Sequence, residues 1–272
     1  MSVGFARLPW TKAERNPGTK TFSNVKAMQL KYHRVLLKLS GEVLRDPKTG
    51  ECISPDIVAK MSDQVSRAAK AGCQIGIVLG GGNIFRGATG AMSGIDRSSG
   101  DYMGMLSTII NALALQNGLE KCGIATRVMT AIDMPRVAEP LILRRAMRHI
   151  EKGRVVILAG GTGNPYFSTD TAAALRASEL GAEVLLKATK VDGVYTADPK
   201  KDPAAKRYRK LSYRKALDDR LKVMDSTAFA LCMENSVPIV VFDFFDEDAL
   251  QRVIAGEDVG TLVSDVTDEV CD

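Results

Sequence analysis

The chain has 272 residues, of which 45% are apolar and 25% charged, with a net charge of +5. That is enough for one large α/β domain or two small lobes around a real core. No apolar run approaches the roughly 20 residues of a membrane helix, the first residues lack the apolar core of about 7–15 residues that a secretory signal needs, and five scattered cysteines with two histidines make no zinc pattern and fit a reduced cytoplasm.

Residues 1–34 hold seven basic side chains against Glu14 alone, a net of +6, so the rest of the chain, with 30 basic and 31 acidic residues, is almost neutral. The basic character therefore belongs to a tail, and a nucleic-acid module would have to use that tail alone. Punctuated by Pro, Gly and Asn and without a periodic apolar face, the tail reads as a disordered extension, with a loose anion-binding arm as the alternative.

Residues 34–39 then form a short strand running into Ser40-Gly41. Ser54-Pro55-Asp56 opens a helix with Val58, Met61, Val65 and Ala68 as its apolar stripe and Gly72 as its stop. A strand over 74–79 ends in Gly80-Gly81-Gly82. Asp101 precedes a nearly all-apolar helix over 103–115, which must be core or a subunit interface. Further strands are predicted over 126–132, 154–159, 183–188, 238–243 and 260–263, and further helices over 141–150, 170–180, 225–234 and 247–255. Residues 189–211 are left as a long polar segment. Strands alternating with helices imply a three-layer α/β/α sandwich with a largely parallel sheet, whose ligands sit beyond the carboxyl ends of the strands. Four polar segments then share one rim: 38–42, 80–87, 160–169 and 189–198.

That rim offers glycines and cations. His33, in the tail region, and His149, on a basic helix, read as solvated, so no nucleophile–base pair presents itself. Cys73 and Cys232 read as plain core residues. Lys38 sits at a strand end, Arg86 follows Gly80-Gly81-Gly82-Asn83, and Lys187 and Lys190 flank another strand end. Exposed backbone N–H groups, helix N-termini and fixed cations are what phosphoryl transfer asks of a protein. Neither a Walker lysine nor a His-Arg-Asp loop is present, which excludes the usual frameworks. The residues alone reach a binder of phosphates, with two ligands. Tight turns remain the alternative for each loop taken singly, least so for the triple glycine.

Six stretches, taken in order, resemble the amino acid kinase superfamily, and within it the bacterial uridylate (UMP) kinases. They are Lys38-Leu39-Ser40-Gly41-Glu42, the run from Gly80 to Gly87, the run from Gly100 to Met105, the run from Thr162 to Asp170, the run from Lys187 to Pro199, and Leu221-Lys222-Val223-Met224-Asp225. The resemblance covers residues 33 to 264. It implies phosphoryl transfer from ATP to UMP in pyrimidine nucleotide synthesis, with Mg²⁺ held mainly through the ATP phosphates and no metal site of the protein's own. It divides the chain into an extension over 1–32, a kinase domain over 33–266 (UMP part 33–180, ATP part 181–266) and a tail over 267–272.

By the same resemblance Lys38, Leu39, Ser40, Gly41, Gly82 and Arg86 would contact the ATP phosphates, and Thr189, Tyr195 and Asp198 would hold the ATP nucleoside. UMP would lie against Gly81, Asp101 and the loop of Thr162, Gly163, Asn164, Pro165, Tyr166, Phe167, Ser168 and Thr169. Lys38, Arg86 and Asp225 would be catalytic, with Asp225 pairing with Lys38. Plain helix N-capping stays open for Asp101 and Asp225, loop packing for Tyr195, and a surface salt bridge for Arg86. The family implies a hexamer built from dimers, with GTP activation and UTP inhibition. The rivals are a kinase of a small carboxylate or carbamate, and a non-catalytic nucleotide sensor.

Overall fold

Strand β1 (Arg34–Leu39) shows how the sheet is built: Val35, Leu37 and Leu39 enter one apolar cluster and Leu36 the other. A strand buried on both faces needs apolar residues at both parities, which is why these segments read as continuous apolar runs. The computed structural model describes residues 29–86, 94–199, 201–221, 223–246 and 248–271. The basic extension up to residue 28, and Gly87, lie outside the described residues.

The strands that follow are β2 (Gln74–Leu79), β3 (Thr126–Thr130), β4 (Glu139–Pro140), β5 (Val155–Ala159), β6 (Val184–Thr189), β7 (Tyr208–Ser212), β8 (Ile239–Asp243), β9 (Thr261–Ser264) and β10 (Glu269–Val270). They form one ten-stranded sheet in the order β10-β7-β9-β8-β6-β1-β2-β5-β3-β4. It is parallel from β8 to β4 and turns antiparallel between β8 and β9 and between β7 and β10.

Helices α1 (Pro55–Lys70), α2 (Arg97–Lys121) and, after β8, α7 (Ala249–Ile254) bear on the cluster around Leu37, Ile77 and Phe242. Helices α3 (Leu143–Glu151), α4 (Thr169–Leu180), α5 (Tyr213–Asp218) and α6 (Ser226–Glu234) cover the opposite face. The expected three layers are therefore present. Helix α4 lies close over the sheet because Gly76 has no side chain. A Cβ there would come within 2.9 Å of Leu180 and 3.0 Å of Leu36. Ser168 caps the start of α4, accepting from the N–H groups of Asp170 and Thr171, and Gly181 ends it in the left-handed conformation.

Several expectations are corrected. Helix α2 begins at Arg97 with Asp96 as its cap, so Asp101 lies inside the helix and is no cap. The long polar segment is not wholly irregular, since Tyr195 bridges to Arg207 and β7 follows at once. Glu269 and Val270 pair with β7, so the last residues extend the sheet. Leu30 and Tyr32, taken as part of the extension, pack against the core, and Lys31 and Tyr32 donate to the Ile254 carbonyl. His149 is not solvated: it sits 3.2 Å from Glu139, with the Arg154 guanidinium 2.9 Å from its other ring nitrogen. Helix α2 is apolar on two faces. Met105, Ile109, Ala112 and Leu115 are buried, whereas Met103, Leu106, Ile110 and Leu113 stand exposed at three- and four-residue spacing.

Candidate active site

Parallel pairing of β1 with β6 places Lys38 beside Lys187 in register. Period-two alternation turns both away from the α1–α2 layer and toward α4, on the same face as Leu36 and Leu185. Both lysines are buried, at 8% and 7% exposure. Beneath them the first turn of α4 presents Asp170, whose carboxylate oxygens lie 2.8 Å from the Lys38 ammonium and 2.6 Å from that of Lys187. Burial works to raise the Asp170 carboxyl, but the two ammonium groups overcome it and hold it below the usual carboxylate range. Lys187 is pushed down to about 8, first by burial and next by the charge of Lys38. Two cations share one anion, which leaves a buried excess of positive charge at the carboxyl end of the sheet. A bound phosphate would satisfy it.

The expected partnership of Lys38 with Asp225 is not formed, because Asp170 takes that place. Asp225 instead caps α6, accepting from the Ala228 N–H at 2.8 Å and from the Thr171 hydroxyl at 3.0 Å, and it also accepts from Ser168. It ties the starts of α4 and α6 together directly below the clamp. The sequence shows Lys187 as a rim cation and Asp170 as an acid at a helix start, but not that both meet Lys38, which follows only from the register of β1 with β6 and the packing of α4.

Beside the clamp, Leu39 is core and Ser40 precedes a single 3₁₀ turn, Gly41–Leu44. Gly41 abuts the next loop: a Cβ would collide with the Gly80 carbonyl and come within 2.6 Å of the Asn83 amide oxygen. Gly81 is pressed on α2, where a Cβ would meet the Gly104 carbonyl at 2.6 Å. Gly82 is half-buried against Glu42, and Arg86, exposed at the loop's edge, pairs with that same Glu42. Buried Asn111 braces the turn, donating to the Gly80 carbonyl at 2.8 Å and exchanging amide bonds with buried Asn83. The sequence offers no signal for this role, since Asn111 stands in an apolar helix.

The glycine-rich loop after β5 curls over the start of α4. Gly160, Gly161 and Gly163 all take positive φ, and the Gly160 N–H donates to the Thr108 hydroxyl at 2.9 Å. Buried Arg176 reaches the Gly161 carbonyl at 3.3 Å. Thr162 and Asn164 exchange local bonds, Pro165 follows half-buried, and Tyr166 and Phe167 are exposed. The Tyr166 N–H donates to Asp101 at 2.7 Å, so Asp101 stands against this loop. Ser168 is the α4 cap and Thr169 its first residue. Lysine clamp, helix N-terminus and loop converge on one mouth.

Across the clamp, the segment after β6 lines a groove of about 390 Å³ with Val191, Tyr195, Asp198, Pro199, Leu221 and Val223. Thr189 turns this segment, accepting from the Val191 N–H at 3.0 Å. The Tyr195 hydroxyl donates to Asp192 at 2.8 Å, and that bond beside the Asp192 charge holds its pKa above the ordinary phenol value. The segment holding Thr189, Tyr195 and Asp198 follows β6 on one side of β1, whereas Gly81, Gly82, Arg86 and the loop over 160–169 follow β2 and β5 on its other side, with Lys38, Asp170 and Lys187 between.

The model of the amino acid kinase family matches residues 33–243. Among solved structures, the UMP kinase of Bacillus anthracis is 40% identical, with 89% of this chain and 99% of that one covered and a TM-score of 0.86. The UMP kinase of Ureaplasma parvum is 37% identical over 86% of this chain and all of that one, at a TM-score of 0.81. The uridylate kinase of Archaeoglobus fulgidus is 27% identical over 85% of this chain and 99% of that one, at 0.65.

Proposed function

The chain belongs to the amino acid kinase family, and on that premise we propose that it is a UMP kinase, transferring the γ-phosphoryl group of ATP to UMP to give ADP and UDP. The observation that carries this reading is the buried Lys38–Asp170–Lys187 clamp, set between a glycine-rich acceptor loop and an open donor groove. UMP is assigned to Gly81, Asp101 and residues 162–169. ATP is assigned to residues 38–41, Gly82, Arg86, Thr189, Tyr195 and Asp198, with its nucleoside in the groove beside Tyr195. The attacking group is a phosphate oxygen that is already anionic, so no general base is needed. The work of the protein is positioning and neutralising charge. Lys38 and Lys187 stabilise the transferring group, Asp170 holds them apart, and Asp225 acts through the helix starts it joins. Arg86 leaves Glu42 for the phosphates when both nucleotides are present.

Among the described residues no cluster of three or more acidic, His or Cys side chains could cage a metal. Mg²⁺ fits all the same, because it is ordinarily carried by substrate phosphates with one or two carboxylates and water. It would supply further neutralisation of the phosphates.

The oligomer is part of the same proposal: the exposed stripe of Met103, Leu106, Ile110 and Leu113 supports a dimer contact within a hexamer. So are cytoplasmic residence, supported by five free cysteines, and a response to GTP and UTP. A coupled ADP-release assay on UMP, CMP and N-acetylglutamate, with UDP identified directly and with GTP or UTP added in turn, tests the reading. UMP should be turned over far faster than the others. Turnover of N-acetylglutamate alone would replace the substrate, and no turnover of any would make the chain a sensor.

A further inference from the structure

Arg97 sits where helix stability does not ask for it. It is the first residue of α2, at the positive end of the helix dipole, where a cation is unfavourable. Its partner Asp101 lies four residues on, the weaker order for such a pair. Asp96 already caps the helix, accepting from the Ser99 N–H at 3.0 Å.

The guanidinium instead touches both halves of the junction between α2 and the glycine-rich loop. Its Nε lies 3.0 and 2.8 Å from the two oxygens of Asp101, and its planar head lies over the Tyr166 ring, 5.5 Å from the centroid. Tyr166 holds a left-handed backbone, with φ of 74°, although it is bulky and 67% exposed. An exposed side chain supplies little packing to hold such a conformation. What holds it is the bond from its N–H to Asp101 and the cation over its ring. Three hydrogen bonds, one to Oδ1 and two to Oδ2, leave about one of the roughly four acceptor positions of the Asp101 carboxylate, on Oδ1, for a ribose hydroxyl.

We propose that Arg97 is a positioning residue for the acceptor nucleotide: it fixes the Asp101 carboxylate and the left-handed Tyr166 together, so that the loop over 161–168 is set before the nucleotide arrives. This rests on reading that loop as the UMP site.

The test uses the full chain with Arg97→Ala, Arg97→Gln and Arg97→Lys. Losing a charge-assisted bond should raise the UMP KM about tenfold in Arg97→Ala, with kcat and the ATP KM within about twofold of the parent. Arg97→Gln and Arg97→Lys should fall between. Hydrogen exchange of the ligand-free protein provides the second measurement. Amides over 161–168 should exchange about tenfold faster in Arg97→Ala while those of β5 and α4 stay unchanged. An unaltered UMP KM together with unaltered exchange would overturn the proposal, as would equal losses for both nucleotides. If the parent enzyme does not phosphorylate UMP, the functional reading falls and exchange alone decides: acceleration confined to 161–168 supports the role of Arg97, and its absence ends it. If Arg97→Ala does not fold, Arg97→Gln and Arg97→Lys carry both measurements.

Discussion

Replacing Asp170 by Asn removes the one anion between two buried ammonium groups while keeping the shape of the site. Lys187 titrates at about 8 in the fold against 10.5 as an ordinary lysine, so at pH 7 burial and the charge of Lys38 already cost about 3 kcal/mol. Without Asp170 it would give up its proton in the folded state. The cost is then capped at that of deprotonating a free lysine at pH 7, about 5 kcal/mol, an increment of about 1–2. Lost charge-assisted bonds to Asp170 add roughly 1.5–3 kcal/mol, for a total of about 3–4, or of the order of 10 °C in Tm for a chain of this size.

The sign of the pH dependence is the sharper test. In the parent, folded and unfolded states both carry a protonated Lys187 below pH 8, so this group gives a flat profile there. Its penalty is relieved only as pH rises from about 8 toward 10.5. In Asp170→Asn the folded state binds one proton fewer already near neutrality, so stability climbs by about 1.4 kcal/mol per pH unit from pH 7 or below. Thermal unfolding of both proteins between pH 6.5 and 8 separates the cases. Parallel profiles would refute the coupling of the two lysines through Asp170, whatever the variant's activity.

Lys38→Ala should lower kcat by about 10²–10³, as when one transition-state donor is removed, with a small change in the UMP KM; near-normal UDP formation would remove Lys38 from the reaction. Gly41→Ala should push the first two loops apart at Gly80 and Asn83 and cost at least about tenfold in kcat/KM, because misplacement of about 1 Å suffices for such losses; parental kinetics would show that the loops yield freely. Ile110→Glu places a charge in the middle of the exposed stripe, on a residue 50% exposed in the single chain. It should shift sedimentation toward smaller species at micromolar concentration, whereas an unchanged profile would put the subunit contact elsewhere.

The rim of glycine loops was legible because each follows a strand whose apolar run is unmistakable, and because a glycine after such a run marks either a turn or a ligand. The clamp was not. Two acids, Asp170 and Asp225, stand near helix starts, and local sequence cannot say which faces Lys38. That depends on where α4 lies over β1, elements more than a hundred residues apart in the chain. Asp101 was misplaced within its helix because Arg97-Ser98-Ser99-Gly100 has the composition of a loop, while tertiary packing and the Asp96 cap carry the helix through it. Strand β7 was hidden by its basic sequence, since only Tyr208 and Leu211 of it are buried. His149 looked solvated because its partner Glu139 lies on a separate element, a full helix length away in the chain.

The hydrogen-bonded seam between β1 and β6 has a mechanical consequence. Lys38 comes from the half assigned to UMP and Lys187 from the half assigned to ATP, yet their strands are zipped from Val35–Val184 to Leu39–Ala188. A hinge that opened between the halves would have to tear that ladder, and the reacting centre with it. The seam therefore keeps the two lysines in fixed register, a common footing for whatever binds above either half of the sheet.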